Sequence, residues 1–155
     1  MKNFPHQYSV VAGAHPGEDF ELISRGLPPL KTAAPAEFDG PGDRWSPETM
    51  LTGAIAGCFI LTFRAIARAS KIAWNTVTCE VDGRLDRLDN VTQFTRFDLR
   101  VRLLVPATTD TAQAHRALER AERQCLISNS LRATFDLRID VDIVPTAEPI
   151  VVGAA

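Results

Sequence analysis

Three cysteines, Cys58, Cys79 and Cys125, are the side chains of this 155-residue chain best suited to covalent chemistry. A thiol acts as a nucleophile or a metal ligand only once it is a thiolate. The three show no C-x-x-C pairing, and His6, His15 and His115 lack the H-x-x-x-H spacing of a ligand pair, so a zinc site finds no support. There is no G-x-S-x-G elbow for a serine hydrolase. An odd, low cysteine count is not a secreted disulfide framework. In a reducing compartment such cysteines are packing, metal ligands or redox groups. Each of Cys58 and Cys125 can therefore be read either as core filling or as a redox thiol.

The elements that carry them narrow the choice. Cys58 lies in the stretch Trp45 to Lys71, which opens with Ser46 as N-cap, Pro47 at the first helical position and Glu48 in the first turn. From Thr49 to Phe63 there is no charged residue; Arg64, Arg68 and Lys71 then make one wet stripe. A helix apolar on all sides is normally buried all round, by other layers or by a second subunit. Its uncharged run is shorter than the roughly 20 apolar residues a bilayer span needs. Cys125 closes the apolar stripe Ala114, Leu118, Ala121 of a second helix capped by Asp110. Cys79 points inward from an alternating strand, Trp74 to Leu85, and reads as filling.

Around these, Tyr8 to Ala12 and Phe20 to Ser24 read as a hairpin, with a short third strand at Lys31 to Ala34. Pro35 to Arg44 is a loop by composition. Phe94 to Val105 and Phe135 to Ile143 are alternating strands, and the tail from Pro145 reads as frayed. The expected architecture is one α+β domain over residues 1–155, with antiparallel strands packed around a long buried central helix and a second helix.

A reactive Cys58 needs help. Burial pushes a thiol pKa up, and a mid-helix position gains nothing from a helix N-terminus. The loop ending at Arg44 can supply a cation, and Glu48 can orient it. Glu48 and Cys58 stand ten residues apart, about 15 Å along one helix, too far to share a site. An antiparallel crossing of two copies at Gly53, eased by Gly57, would bring residue 48 of one level with residue 58 of the other. This predicts a twofold homodimer.

The net charge of −2 and pI near 5.9, with no Lys/Arg block, give no electrostatic support for binding nucleic acid or an anionic membrane. The first residues lack the apolar core of a signal peptide, so a cytoplasmic location is the expectation.

The segments S-P-E-T-M-L-T-G-A-I-A-G-C-F and A-E-R-Q-C-L-I-S-N-S resemble the OsmC/Ohr family of thiol-dependent peroxidases, and the order of elements is similar from about Tyr8 to Ile143. The resemblance implies an intertwined homodimer with active sites at the interface; no cofactor or metal is expected. By that likeness Cys58 is the peroxidatic thiolate that attacks an organic hydroperoxide, and Cys125 resolves its sulfenic acid as an intramolecular disulfide. Dithiol reductants, lipoylated proteins in some members, reopen it. Glu48 matches the carboxylate that positions an arginine. In Ohr-type members that arginine sits in the first hairpin, where this chain has Gly13-Ala14-His15; in OsmC-type members it precedes the helix, where Arg44 stands, with Arg25 the other candidate. A different reading is an OsmC-like stress or small-molecule-binding protein with little turnover.

Overall fold

The computed structural model describes residues 3–144 and divides into two compact units, residues 1–51 and 52–155. In the first unit, β1 (Val11–Gly13), β2 (Phe20–Ile23) and β3 (Leu30–Thr32) form an antiparallel meander in that order. The first strand is shorter and later than its apolar residues suggest: Tyr8 is 92% exposed and Val10 lies outside any strand. The third begins at Leu30, directly after Pro28-Pro29, because proline is compatible with a strand entry. The loop that follows contains a single 3-10 turn, Ala36–Phe38. Its exit is tied to β3, since the Ala33 N–H and the Thr32 hydroxyl both donate to the Trp45 carbonyl.

The long helix α1 (Pro47–Ala69) starts where its cap signals place it. Ser46 is buried; its Oγ accepts from the Thr49 N–H at 3.2 Å, and Thr49 Oγ1 accepts from the Ser46 N–H at 2.8 Å. This is a reciprocal capping box with threonine in place of the usual glutamate or glutamine.

In the second unit α1 buries one stripe, Ile55, Phe59, Phe63 and Ile66 with Ala67, at spacings of three and four. Its other faces are left partly open among the described residues. Gly53, Ala54 and Gly57 are exposed, and Leu61 is 62% exposed. The expected all-round burial is thus not met by one copy. With 23 residues and a mean hydropathy of 1.8 over its most apolar stretch, α1 is long and apolar enough to cross a membrane by length and composition. The packed aromatic and aliphatic stripe is instead what a helix in a protein core shows.

The sheet of this unit is ordered β4 (Thr76–Leu88), β5 (Val91–Pro106), β6 (Thr134–Val144). A tight turn at Asp89 and Asn90, both with positive φ, joins β4 and β5 antiparallel. The β5–β6 pair is parallel, which corrects the all-antiparallel expectation. The reason is the crossover through α2 (Thr111–Arg123): parallel neighbours need a connection of a dozen or more residues, usually a helix. Asp110 caps α2, its carboxylate accepting from the Ala112 and Gln113 N–H groups at 2.9 and 3.1 Å.

The central strand carries the core. Phe97, Leu99, Val101, Leu103 and Val105 are all buried on one face, and α2, which packs on β6, buries the stripe Ala114, Ala117, Leu118 and Ala121. Phe97 stacks between Phe94 and Phe135, with ring centroids 5.0 and 5.3 Å away. Gly83, across from Phe97, leaves room for these rings: a Cβ there would meet Phe97 at 2.7 Å and Phe94 at 2.8 Å. The opposite face is a lattice of exposed ion pairs, among them Arg100 with Asp82 and Glu80, and Arg102 with Asp142. At the end of β6, Ile143 is exposed, where alternation predicts it inward.

Candidate active site

The structure brings Cys58 of α1 and Cys125 together, side chain to side chain. Cys125 follows the last residues of α2, and its N–H donates to the Glu122 carbonyl at 3.0 Å. The chain then makes one more turn, with the Asn129 N–H donating to the Cys125 carbonyl at 3.0 Å, before the 3-10 segment Ser128–Ser130. Side-chain bonds tie the turn down: Asn129 Nδ2 donates to the Arg123 carbonyl at 3.0 Å and Ser130 Oγ to the Leu126 carbonyl at 2.8 Å.

This turn faces Cys58. Burial alone would push the Cys58 thiol up. Against it act the backbone N–H of Ile127, the Cys125 side chain, the N–H of Leu126 and the Thr62 hydroxyl one helical turn on, and together they hold the thiol below its ordinary value. Donors aimed at sulfur stabilise the thiolate over the thiol. Cys125 behaves oppositely. It is fully buried, and burial raises it; Ser128, through side chain and backbone, pulls it down, while the neighbouring Cys58 pushes it up again. Two thiols in contact thus ionise in order, Cys58 first.

The sequence reading missed these amides. It assigned activation of Cys58 to a cation, on the ground that mid-helix sulfur receives no help. The helix itself gives none, but a turn distant in sequence does. The only signal was the S-N-S run after Cys125, which marks a turn and not its target.

Arg44 ion-pairs with Asp19 through Nη1, and its Nε lies 3.7 Å from Asp43. It borders, with Asp19, Phe20 and Lys31, a hollow of about 480 Å³ in the first unit. Glu48 stands in the first turn of α1, half-buried. Arg25 is exposed after β2. Cys79 is half-buried on the inner face of β4, and burial, reinforced by the nearby Cys125 and Glu80, pushes its thiol up to about 12. That agrees with its reading as filling. Among the described residues no group of three or more His, Cys, Asp or Glu side chains is gathered as a metal site would require.

The family model described as OsmC-like protein matches residues 40–140, a span that holds Cys58, Cys125 and most of the β5–α2–β6 crossover. The chain belongs to the OsmC-like family. The uncharacterized protein YmaD of Bacillus subtilis is 28% identical over 128 residues, covering 81% of this chain and 85% of its own. An OsmC-like protein of unknown function from Vibrio cholerae superposes with a TM-score of 0.80 at 18% identity, over 88% of this chain and all of that one. An organic hydroperoxide resistance protein OsmC from Legionella pneumophila superposes at 0.69 with 24% identity, over 89% of this chain and 99% of that one. At these identities the structural matches show the OsmC-like α+β fold.

Proposed function

We propose that this protein is a thiol-dependent peroxidase that reduces organic hydroperoxides to alcohols. The observation that carries the reading is the contact between a thiol poised to ionise, Cys58, and a second thiol, Cys125, that keeps its proton. Family membership and the name of the Legionella relative support the substrate class. Cys58 thiolate attacks the O–O bond; the S–O bond forms, the O–O bond breaks and the alkoxide leaves as alcohol on gaining a proton. Cys125 then displaces water from the sulfenic acid, giving the Cys58–Cys125 disulfide. A dithiol, such as a lipoylated protein, returns both to thiols. Arg44 or Arg25 assists the first step and Glu48 orients the guanidinium. The cell compartment is the cytoplasm, where such reductants keep thiols reduced.

A homodimer completes the proposal. The uncovered stripe of α1 supports it: at Gly57 an added Cβ would meet nothing within 4 Å in the chain, and Leu61 is left open. Sedimentation velocity tests this directly, since a stable monomer at micromolar concentration refutes it.

For the reaction, one equivalent of cumene hydroperoxide should give a Cys58–Cys125 disulfide by mass spectrometry, with one equivalent of alcohol. Cys58→Ser should abolish both. Thiols left unoxidised by stoichiometric peroxide in the folded protein would overturn the assignment in favour of a binding protein with little turnover. The arginine whose change to alanine slows the peroxide step is the activating one.

A further inference from the structure

Ser128 is 5% exposed, and its Oγ makes no hydrogen bond of ordinary geometry among the described residues. A buried hydroxyl with no partner is costly, so its nearest polarizable neighbour matters. Ser128 lies three residues after Cys125, on a turn closed by the Asn129 N–H on the Cys125 carbonyl. Side chains three apart on such a turn share a face. Cys125 Sγ is itself fully buried, and the Ser128 side chain is close enough to draw that thiol down. The backbone that carries the hydroxyl is held from both ends: the Leu131 N–H donates to the Ser128 carbonyl at 3.1 Å and the Ser130 N–H to the Ile127 carbonyl at 3.0 Å.

We propose that Ser128 is a positioning residue for Cys125: its O–H, without a hydrogen bond while both cysteines are thiols, turns onto Sγ and supports the thiolate that Cys125 becomes whenever the Cys58–Cys125 disulfide closes or reopens. The proposal rests on reading the two cysteines as a redox pair. In closing, the Cys125 thiolate attacks the Cys58 sulfenic sulfur; the S–S bond forms, the S–O bond breaks, and hydroxide leaves and is protonated to water. In reopening, a thiolate of the dithiol reductant attacks Cys58 Sγ; the S–S bond breaks and its electron pair goes to Cys125, onto which the Ser128 O–H is directed. A charge-assisted hydrogen bond is stronger than one to neutral disulfide sulfur, so the hydroxyl acts where Cys125 carries charge. A better leaving thiolate also leaves faster.

The test uses the full chain and the chromogenic disulfide dithionitrobenzoate, with no peroxide. Cys58 reacts first and releases one thionitrobenzoate. Cys125 then attacks the mixed disulfide on Cys58 and releases a second, closing the same bond. In Ser128→Ala the first release should keep its native rate. The second should slow roughly three- to tenfold at neutral pH, with its pH midpoint moved upward. Ser128→Thr, which keeps a hydroxyl, should restore it. A second release at native rate and midpoint in folded Ser128→Ala overturns the proposal; so does an equal slowing in folded Ser128→Thr. If cumene hydroperoxide fails to oxidise Cys58 while the second release still depends on the hydroxyl, the peroxidase reading falls and the role of Ser128 stands.

Discussion

The three thiols should separate sharply by alkylation rate, and the size of the separation follows from their surroundings. Cys79 is pushed up to about 12 from an ordinary value of 9.0, whereas Cys58 is held below that value. At pH 7 a thiol at 9.0 is about 1% thiolate and one at about 12 is on the order of 0.001%, a ratio of about a thousand. The more basic thiolate is intrinsically more nucleophilic, with a Brønsted slope of about 0.4–0.5, which returns roughly fifteen- to thirtyfold over that interval. Cys58 should therefore outpace Cys79 by at least about thirtyfold, before any difference in access. Time-resolved labelling with iodoacetamide at pH 6, 7 and 8, read by peptide mass spectrometry, measures it. Labelling of Cys79 within a few-fold of Cys58 in folded protein would refute the reasoning. So would a Cys58 midpoint above that of a small free thiol, because the amides of Leu126 and Ile127 would then not be donating to sulfur.

Two further predictions concern stability. The folded state holds Cys79 protonated, so its contribution is fully present below the unfolded pKa and is lost as pH rises toward the folded value of about 12. Thermal unfolding should accordingly fall more steeply between pH 9 and 12 in the native chain than in Cys79→Val; parallel curves would show that burial does not suppress ionisation there. Gly83→Ala places a Cβ against the Phe97 and Phe94 rings at 2.7 and 2.8 Å, and overpacking of this kind costs about 1–3 kcal/mol. Urea unfolding checks it, with Thr78→Ala on the exposed side of the same strand as the near-neutral control.

What was legible in the sequence was what local chemistry dictates. Ser46, Pro47 and Asp110 mark helix starts because their side chains or missing N–H act on neighbouring residues, and both helices begin where they say. The alternation of Phe97 to Leu103 fixes a strand face for the same reason. The parallel β5–β6 pairing was also readable, since a strand, a capped helix and a strand in succession make a crossover; counting the sheet as antiparallel overlooked it. The burial of α1 was not readable. Its uncharged run states that apolar surface must be covered, while among the described residues the buried part of the helix is the Ile55 to Ala67 stripe. Nor was the partner of Cys58, because Leu126 and Ile127 reach it through tertiary packing that no spacing encodes.

The pairing of unlike thiols explains why neither helix alone could carry this chemistry. α1 offers Cys58 an apolar setting and, from within the helix, only the Thr62 hydroxyl. The turn after α2 supplies two backbone donors to Cys58 and, three residues from Cys125, a hydroxyl for the second sulfur. Since each donor serves one sulfur and the Cys125 side chain serves Cys58 as well, the first proton to leave is that of Cys58, and the retained proton lies on its neighbour. Groups whose surroundings drive their ionisation apart divide acid and base roles between them. On the proposed reaction, that retained proton is the one needed when the sulfenic oxygen departs as water. A swap of the two roles would require the fully buried Cys125 to ionise first, against its burial and against the charge of Cys58. Cys125→Ser should then leave a chain that still consumes one equivalent of peroxide and halts at the Cys58 sulfenic acid, trappable with dimedone, whereas Cys58→Ser consumes none.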